Sequence, residues 1–189
     1  MEDYRKASEV YELVVRRFPE SEVVGEAYLR LAECLDKMNR SDLAEAKLSA
    51  LVGDEPETAV QFQAALRLGL ILFHGMRYGE ATEIFRKVTK SRDPDIASRA
   101  QVKIGEIYWE MGDTSTAIIE LMKTVHLYPG QTDRVNEALF KVGEIYMEKK
   151  AWNRARQIYS RIIDATPSAS VRERARHMLA EIDRRAENQ

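Results

Sequence analysis

Apolar and polar positions alternate along this chain with the period of amphipathic α-helices. The clearest stretch is 136–167, which contains two such helices joined by a short polar turn and closed by a proline. The same pattern recurs three more times upstream. A fixed period of this length indicates an array of structural repeats, each of which buries its apolar face against its neighbours.

Each repeat has a small residue, here called its anchor, inside its first helix. The anchors are Ala32, Gly69, Gly105 and Gly143, at intervals of 37, 36 and 38 residues. Twelve residues later stand Ala44, Ala81, Ala117 and Ala155, and sixteen later stand Leu48, Phe85, Leu121 and Tyr159. Small residues let paired helices approach closely, and large residues fill the flanking space. The prolines predicted to close the repeats are Pro56, Pro94, Pro129 and Pro167.

The pattern predicts about ten antiparallel helices. They span 2–18, 22–38, 41–53, 57–75, 78–90, 95–111, 114–127, 132–149, 151–165 and 169–186. We expect a single array over 1–189, with a partial repeat at 2–19, four full repeats at 26–56, 63–94, 99–129 and 137–167, and a C-terminal capping helix at 169–189. The partial repeat has only a second-helix pattern, which predicts that Met1 is not the natural start of the protein.

The placement of small residues and prolines resembles the tetratricopeptide repeat (TPR) family. The best match lies in 136–167, at Leu139, Val142, Gly143, Tyr146, Ala155, Tyr159 and Pro167. The pattern departs from the family at Ala32, Leu35, Gln101 and Thr124. The resemblance implies an all-α fold, a right-handed superhelical TPR solenoid (α-α superhelix), in which the first helices line the concave side.

The repeat length points to a sub-family. Repeats of 36–38 residues, with segments such as VVRRFPESEVVGEAYLRLAE, are similar to those of bacterial cell-envelope proteins. The examples are the outer-membrane assembly lipoproteins and the Tol–Pal accessory proteins. This similarity favours the periplasm, or the periplasmic face of the outer membrane, over the cytoplasm. Other bacterial TPR scaffolds share the period.

Composition narrows the function classes. The net charge is −2, from 29 Lys+Arg against 31 Asp+Glu, which argues against a nucleic-acid-binding or membrane-surface protein. The single cysteine, Cys34, excludes an internal disulfide and a cysteine-based zinc cluster. No apolar run approaches the roughly 20 residues that a membrane span requires.

No catalytic constellation emerges from the sequence. His74, His126 and His177 lack metal-ligand spacing, and two of them fall near predicted helix ends, where a cation suits the helix dipole. Cys34 is expected to be a packed apolar side chain rather than a nucleophile. The anchor glycines do not form a phosphate loop. We therefore predict no catalytic residue, metal or cofactor, and no enzymatic activity.

A candidate groove lies on a second face of the first helices, which is turned away from the anchors and is here called the outer face. Positions one and four residues after each anchor share this face, and large soft side chains recur there among carboxylates. The predicted partner-binding residues are Phe73, Trp109, Met147, Leu70, Glu106, Glu144, Glu110, Glu148 and Asp36. An apolar stripe flanked by acid suits an amphipathic protein segment with basic flanks.

Two other interpretations of this face stay open. The residues three before each anchor fit the core as well as the groove; they are Leu29, Leu66, Val102 and Phe140. The carboxylates fit an ordinary solvated surface.

The leading function hypothesis is a non-enzymatic protein–protein interaction scaffold that binds a partner polypeptide in the groove. The alternative is a structural spacer or self-association module of a larger assembly, with no groove ligand. A homo-oligomer is compatible with either hypothesis. Catalysis and small-molecule binding have no support from the residues.

Overall fold

A computed structural model describes residues 2–187, and over that range the chain forms ten α-helices and no strand. The helices are α1 (Glu2–Arg17), α2 (Val24–Lys37), α3 (Ser41–Val52), α4 (Ala59–His74), α5 (Tyr78–Val88), α6 (Pro94–Glu110), α7 (Thr114–Leu127), α8 (Thr132–Glu148), α9 (Trp152–Ala165) and α10 (Ala169–Glu187). Each lies where the sequence predicts a helix, and the ends agree to within two residues. The chain divides into two compact units, Met1–Ala97 and Ser98–Gln189.

The first unit is built on the hairpins α2–α3 and α4–α5. Helix α3 packs between α2 and α4, the two first helices α2 and α4 also touch, and α1 packs against α2. Alanines and large aliphatic or aromatic side chains interlock in its core. Fully buried examples are Ala44, Leu48, Val52, Ala81, Phe85 and Val88.

The second unit contains most of α6 together with α7 to α10. Helix α8 packs between α7 and α9, and α9 packs against α10. One continuous apolar cluster fills the unit; its fully buried members include Leu121, Leu139, Val142, Ile145, Tyr159, Ile162 and Ile182. Ile182 comes from α10, so the last helix is an integral part of this core.

The anchor glycines confirm the predicted close approach of paired helices. A Cβ atom built on Gly69 would lie 2.5 Å from Cε1 of Phe85. One on Gly143 would lie 2.5 Å from Cζ of Tyr159. One on Gly105 would lie 2.5 Å from Cγ of Leu121. A side chain at these anchors would overlap a buried neighbour, so the glycines are required by packing rather than by backbone conformation.

A left-handed residue ends the first helix seven residues after every anchor. These residues are Asn39, Met76, Gly112 and Lys150, with φ of 59°, 57°, 80° and 56°. In three of the four turns the next residue donates its amide to a carbonyl five residues back, as Arg77 does to Leu72 at 2.9 Å. This is the bond of a Schellman C-cap. The sequence did not reveal the repeated cap, because only one of the four residues is glycine.

One predicted proline role is wrong in detail. Pro94 does not close α5, which ends at Val88; it is the first residue of α6. Proline suits that position because its fixed φ is already helical and its missing N–H has no partner in a first turn. Among residues 2–187, no helix combines the length and hydrophobicity needed to cross a bilayer.

Candidate functional site: the outer face of the first helices

In the first unit, the predicted groove residues lie on the C-terminal halves of α2 and α4. Leu70 and Phe73 are partly exposed, and Asp36 is exposed. The Phe73 ring lies 5.5 Å from the His74 ring and 5.9 Å from the Tyr78 ring, measured between centroids. Phe73 is therefore part of an aromatic cluster that extends into the start of α5.

The same face of this unit contains a pocket of about 520 Å³. Its apolar lining includes Leu70 and Ile71 of α4, and its rim includes Asp36, Asp42 and Glu45. The carboxylates at its α3 side were not among the predicted groove residues. Asp42 lies in the first turn of α3, and Glu45 lies in the turn that follows.

Arginines neutralise part of the acid in this unit. Glu33 forms ion pairs with Arg30, at 3.1 Å, and with Arg67 on the next first helix. Arg77 bonds both Glu80 and Glu45, at 2.6 and 2.7 Å, and these bonds raise the pKa of Arg77 and lower that of Glu80.

Asp36 differs from these paired carboxylates, because it forms no ion pair within residues 2–187; its carboxylate accepts a hydrogen bond of 2.9 Å from the Ser41 hydroxyl. It thus keeps its negative charge available at the pocket rim.

In the second unit, Glu106 is a structural carboxylate. It is only 7% exposed. Its oxygens lie 2.6 Å from Nζ of Lys103 and 2.5 Å from Nζ of Lys141. A carboxylate buried between two ammonium groups is already satisfied. Its contribution to an acidic groove is therefore smaller than the sequence suggested.

Trp109 is the predicted aromatic groove residue of the second unit. It is partly exposed, and its indole Nε1 donates a hydrogen bond of 3.0 Å to Oε2 of Glu148, thirty-nine residues further along the chain. Glu110 and Glu148 are both exposed. Neither forms an ion pair within the described part of the chain. Trp109, Glu110 and Glu148 therefore form one amphipathic, negatively charged patch.

Met147 occupies a different environment from Phe73 and Trp109. It is 6% exposed, and the hydroxyl of Tyr159 lies 3.5 Å from its sulfur. The exposure expected of this position is not found, because Met147 packs down onto the tyrosine that fills the space beside Gly143.

The neighbouring Phe140 is also covered. The Arg174 guanidinium lies 4.1 Å from its ring centroid and 3.4 Å from Glu144. The core interpretation is confirmed for all four residues three before the anchors, which are between 1% and 5% exposed; they are Leu29, Leu66, Val102 and Phe140.

The cations on this face were missed by the sequence analysis. Arg67, Lys103 and Lys141 each stand two residues before an anchor. A signal was available, since a base three residues before an acid, as in Lys103 and Glu106, is a common helical pair. The longer pairs join residues one repeat apart, and they depend on how closely adjacent first helices approach.

The described residues contain no group of three or more His, Cys, Asp or Glu side chains placed to hold a metal ion. Cys34 is 7% exposed. Burial is the main cause that raises its thiol pKa, and the charge of Glu33 adds to it. His74 ends α4, and His126 is the penultimate residue of α7, as the sequence predicts.

Two family models, both described as tetratricopeptide repeat, match the chain. One matches residues 99–130 and 137–168, and the other matches residues 35–96. Together they match two thirds of the 189 residues. A comparison with curated proteins finds no match.

Several solved structures share the fold at low sequence identity. Pseudomonas aeruginosa pilF is 15% identical, with a TM-score of 0.69 over 99% of this chain and 84% of that one. BtubC from P. vanneervenii is 13% identical, with a TM-score of 0.70 over 98% and 82%. YrrB, described as a TPR protein with an unusual peptide-binding site, is 14% identical, with a TM-score of 0.62 over 93% and 84%. These likenesses confirm the predicted all-α TPR fold.

Proposed function

This chain belongs to the tetratricopeptide repeat family, and we propose that it is a non-enzymatic scaffold that binds a partner polypeptide on the outer face of its first helices. Proteins built from tetratricopeptide repeats generally mediate protein–protein interactions and are typically scaffolds. YrrB supports the idea that this fold can hold a peptide. This outer face lines the concave groove that the family resemblance implies, and that groove is the proposed binding surface.

The observation that carries the proposal is the patch of Trp109, Glu110 and Glu148. A large aromatic side chain remains partly exposed there, and its indole N–H is held by a carboxylate. Partly exposed tryptophan is enriched at binding surfaces because it contributes a large apolar area at little conformational cost. Phe73 and Leu70 provide a similar apolar surface in the first unit.

The charges on the two units define the chemistry of the proposed partner. Glu106 and Glu144 are paired with cations of the chain itself. Among the predicted groove carboxylates, those left for a partner are therefore Asp36 in the first unit, and Glu110 and Glu148 in the second. We propose an amphipathic segment whose apolar residues contact Phe73 or Trp109 and whose basic flanks meet these three carboxylates.

A designed peptide tests this function directly. The probe is a fluorescein-labelled amphipathic helix of leucine and lysine, roughly 20 residues long, and the control peptide has glutamate in place of lysine. We expect the basic peptide to bind, more weakly at high salt, and the acidic one not to bind. The double variant Phe73→Ala/Trp109→Ala should lose at least about tenfold in affinity by fluorescence anisotropy.

The matched control variant is Ile119→Ala/Leu127→Ala, which removes two exposed apolar side chains from α7. It should bind the basic peptide as the unmodified chain does. Equal binding by the Phe73/Trp109 variant would refute the groove proposal.

The finer assignment, to a bacterial cell-envelope complex, rests on the likeness of the 36–38-residue repeats to those of envelope proteins. Fractionation of cells that make the native protein tests it. Recovery with periplasmic or outer-membrane markers supports the assignment, and recovery with cytoplasmic markers contradicts it.

A further inference from the structure

The pocket of the first unit has an apolar wall and a charged rim. Leu48, Leu70 and Ile71 contribute to the wall. The lining comes from α2, α3 and α4 together, so the folded unit forms the pocket and no single helix does. Its volume of about 520 Å³ lies within the range of roughly 300–1,000 Å³ that is typical of sites for small ligands. The pocket therefore has room for one long side chain of a partner.

Two of the four carboxylates that line the pocket have no cation partner. Glu33 and Glu45 are paired with arginines of the chain itself. Asp36 and Asp42 are exposed, and neither forms an ion pair within residues 2–187. The Ser41 hydroxyl, which bonds Asp36 at 2.9 Å, belongs to the residue next to Asp42. The rim therefore presents two uncompensated carboxylates, and a cation is the chemistry that complements them.

The second unit fills the equivalent place with a side chain of its own. Trp109 stands four residues after the anchor of its repeat, as Asp36 does, and Glu148 stands five residues after the next anchor, as His74 does. The Trp109 indole extends from α6 to α8, where it donates its N–H to Glu148. In the first unit the shorter Asp36 leaves this place open. What fits there is a side chain with an apolar body and an N–H donor at its end.

We propose that this pocket binds an arginine side chain of the partner polypeptide, an inference that rests on the proposed function. The methylene groups of the arginine contact Leu70 and Ile71. Its guanidinium donates hydrogen bonds to Asp36 and Asp42. A guanidinium resembles the indole of the second unit, because it is planar, weakly hydrated and only a donor. The ammonium group of lysine has the same charge but is more strongly hydrated, so it should bind the pocket more weakly.

A single amino-acid derivative tests the pocket without the rest of the groove. The probe is N-acetyl-arginine methylamide, and the control is N-acetyl-citrulline methylamide, which has a similar shape and no charge. We expect the probe to shift the backbone amide signals of Ser41 and Asp42 in heteronuclear NMR spectra and to saturate at roughly 1–10 mM. The citrulline derivative should bind at least about tenfold more weakly. No shift with the probe, equal binding of the citrulline derivative, or tighter binding of the lysine derivative would overturn the proposal.

Removing the two carboxylates should abolish binding of the probe. Asp36→Asn/Asp42→Asn changes two exposed side chains, so the fold should be retained by circular dichroism. The matched control is Glu20→Gln/Glu22→Gln, which removes two exposed carboxylates from the connection between α1 and α2. We expect the control to bind the arginine derivative as the unmodified chain does. Binding by the asparagine variant, or its loss in the control, would contradict the proposal.

A second variant fills the pocket and keeps its number of carboxylates. Asp36→Trp/His74→Glu reproduces in the first unit the pair formed by Trp109 and Glu148 in the second. The new indole should occupy the place of the guanidinium, so binding of the arginine derivative should be lost although one carboxylate replaces another. Undiminished binding would show that the derivative does not enter this pocket.

The peptide assay separates failure of the pocket from failure of the proposed function. If the basic peptide binds the unmodified chain and the arginine derivative does not, the scaffold function stands and the pocket assignment is wrong. If the derivative binds and the peptide does not, the pocket is a guanidinium site and the proposed peptide-binding function is wrong.

Discussion

The hairpins α2–α3 and α8–α9 reach the same tight packing with different residues. In α2–α3 the anchor is Ala32, and the large residue sixteen positions later is Leu48. In α8–α9 the corresponding pair is Gly143 and Tyr159. Both large side chains are almost fully buried, at 1% and 0% exposure. In these two hairpins the smaller anchor accompanies the larger partner, but Gly105 contacts a leucine, Leu121, so the fold preserves the close approach of the helices and not a fixed combined volume.

The outer faces of these two hairpins differ more than their cores. Four residues after the anchor, α2 has the exposed Asp36, whereas α8 has Met147, which is 6% exposed. One residue after the anchor both have glutamate, and each pairs with an arginine of a later first helix; the pairs are Glu33–Arg67 and Glu144–Arg174. Equivalent repeat positions therefore share backbone geometry but not exposure, and a groove cannot be inferred from repeat position alone.

The largest expected effect comes from exchanging the anchors. Gly143→Ala would place a Cβ 2.5 Å from the buried Tyr159 ring, which cannot move aside in a close-packed core. We expect a loss of about 3 kcal/mol in the free energy of unfolding, measured by urea titration, despite the better helix propensity of alanine. The matched change Ala32→Gly creates no overlap and should cost about 1 kcal/mol, mainly through helix propensity.

A double variant checks the cause of the Gly143→Ala effect. If the ring is responsible, replacing Tyr159 by leucine should cost less in the Gly143→Ala chain than in the unmodified chain. We expect an interaction energy of about 1 kcal/mol between the two changes. Strictly additive costs would show that the anchor glycine does not depend on its partner.

Replacing the residue four positions after the anchor by alanine should give the next largest difference in stability between the two hairpins. Met147→Ala removes a buried side chain in contact with Tyr159 and should destabilise the chain by about 2 kcal/mol. Asp36→Ala removes an exposed side chain and should change stability by less than about 0.5 kcal/mol. Thermal unfolding monitored by circular dichroism compares the two variants. Similar shifts in melting temperature would refute the assignment of Met147 to the core.

The helices and their packing face could be predicted from the sequence because both depend on the local spacing of apolar and small residues. The stripe through Gly143 and Tyr159 repeats so regularly that it could be recognised without any distance. The charge pattern of the outer face was harder, because Glu106 meets Lys141 only after adjacent first helices come together. Trp109 was identified as a candidate from spacing alone, but its bond to Glu148 depends on the same approach.

The repeated C-cap could not be predicted from the sequence either, for a different reason. Glycine is the usual sequence signal of a left-handed residue, and the chain uses it at Gly112 but not at Asn39, Met76 or Lys150. The C-cap hydrogen bonds of the turn stabilise a conformation that the side chains at Met76 and Lys150 do not favour.

The smallest expected effect is the difference in stability between glycine substitutions at the C-caps of the two hairpins. Lys150 has φ of 56°, which costs a lysine roughly 1 kcal/mol, so Lys150→Gly should stabilise the chain by about 0.5–1 kcal/mol. Asn39 has φ of 59°, but asparagine tolerates this region, so Asn39→Gly should change stability by only about 0.3 kcal/mol or less. Gly112→Ala is the reverse control and should destabilise the chain by about 1 kcal/mol, since alanine gains the strain that glycine lacks. Urea titrations measure all three. If Lys150→Gly lowers the free energy of unfolding, the side chain of Lys150 stabilises the chain by more than its backbone strain costs, and the C-caps of the two hairpins do not differ in strain.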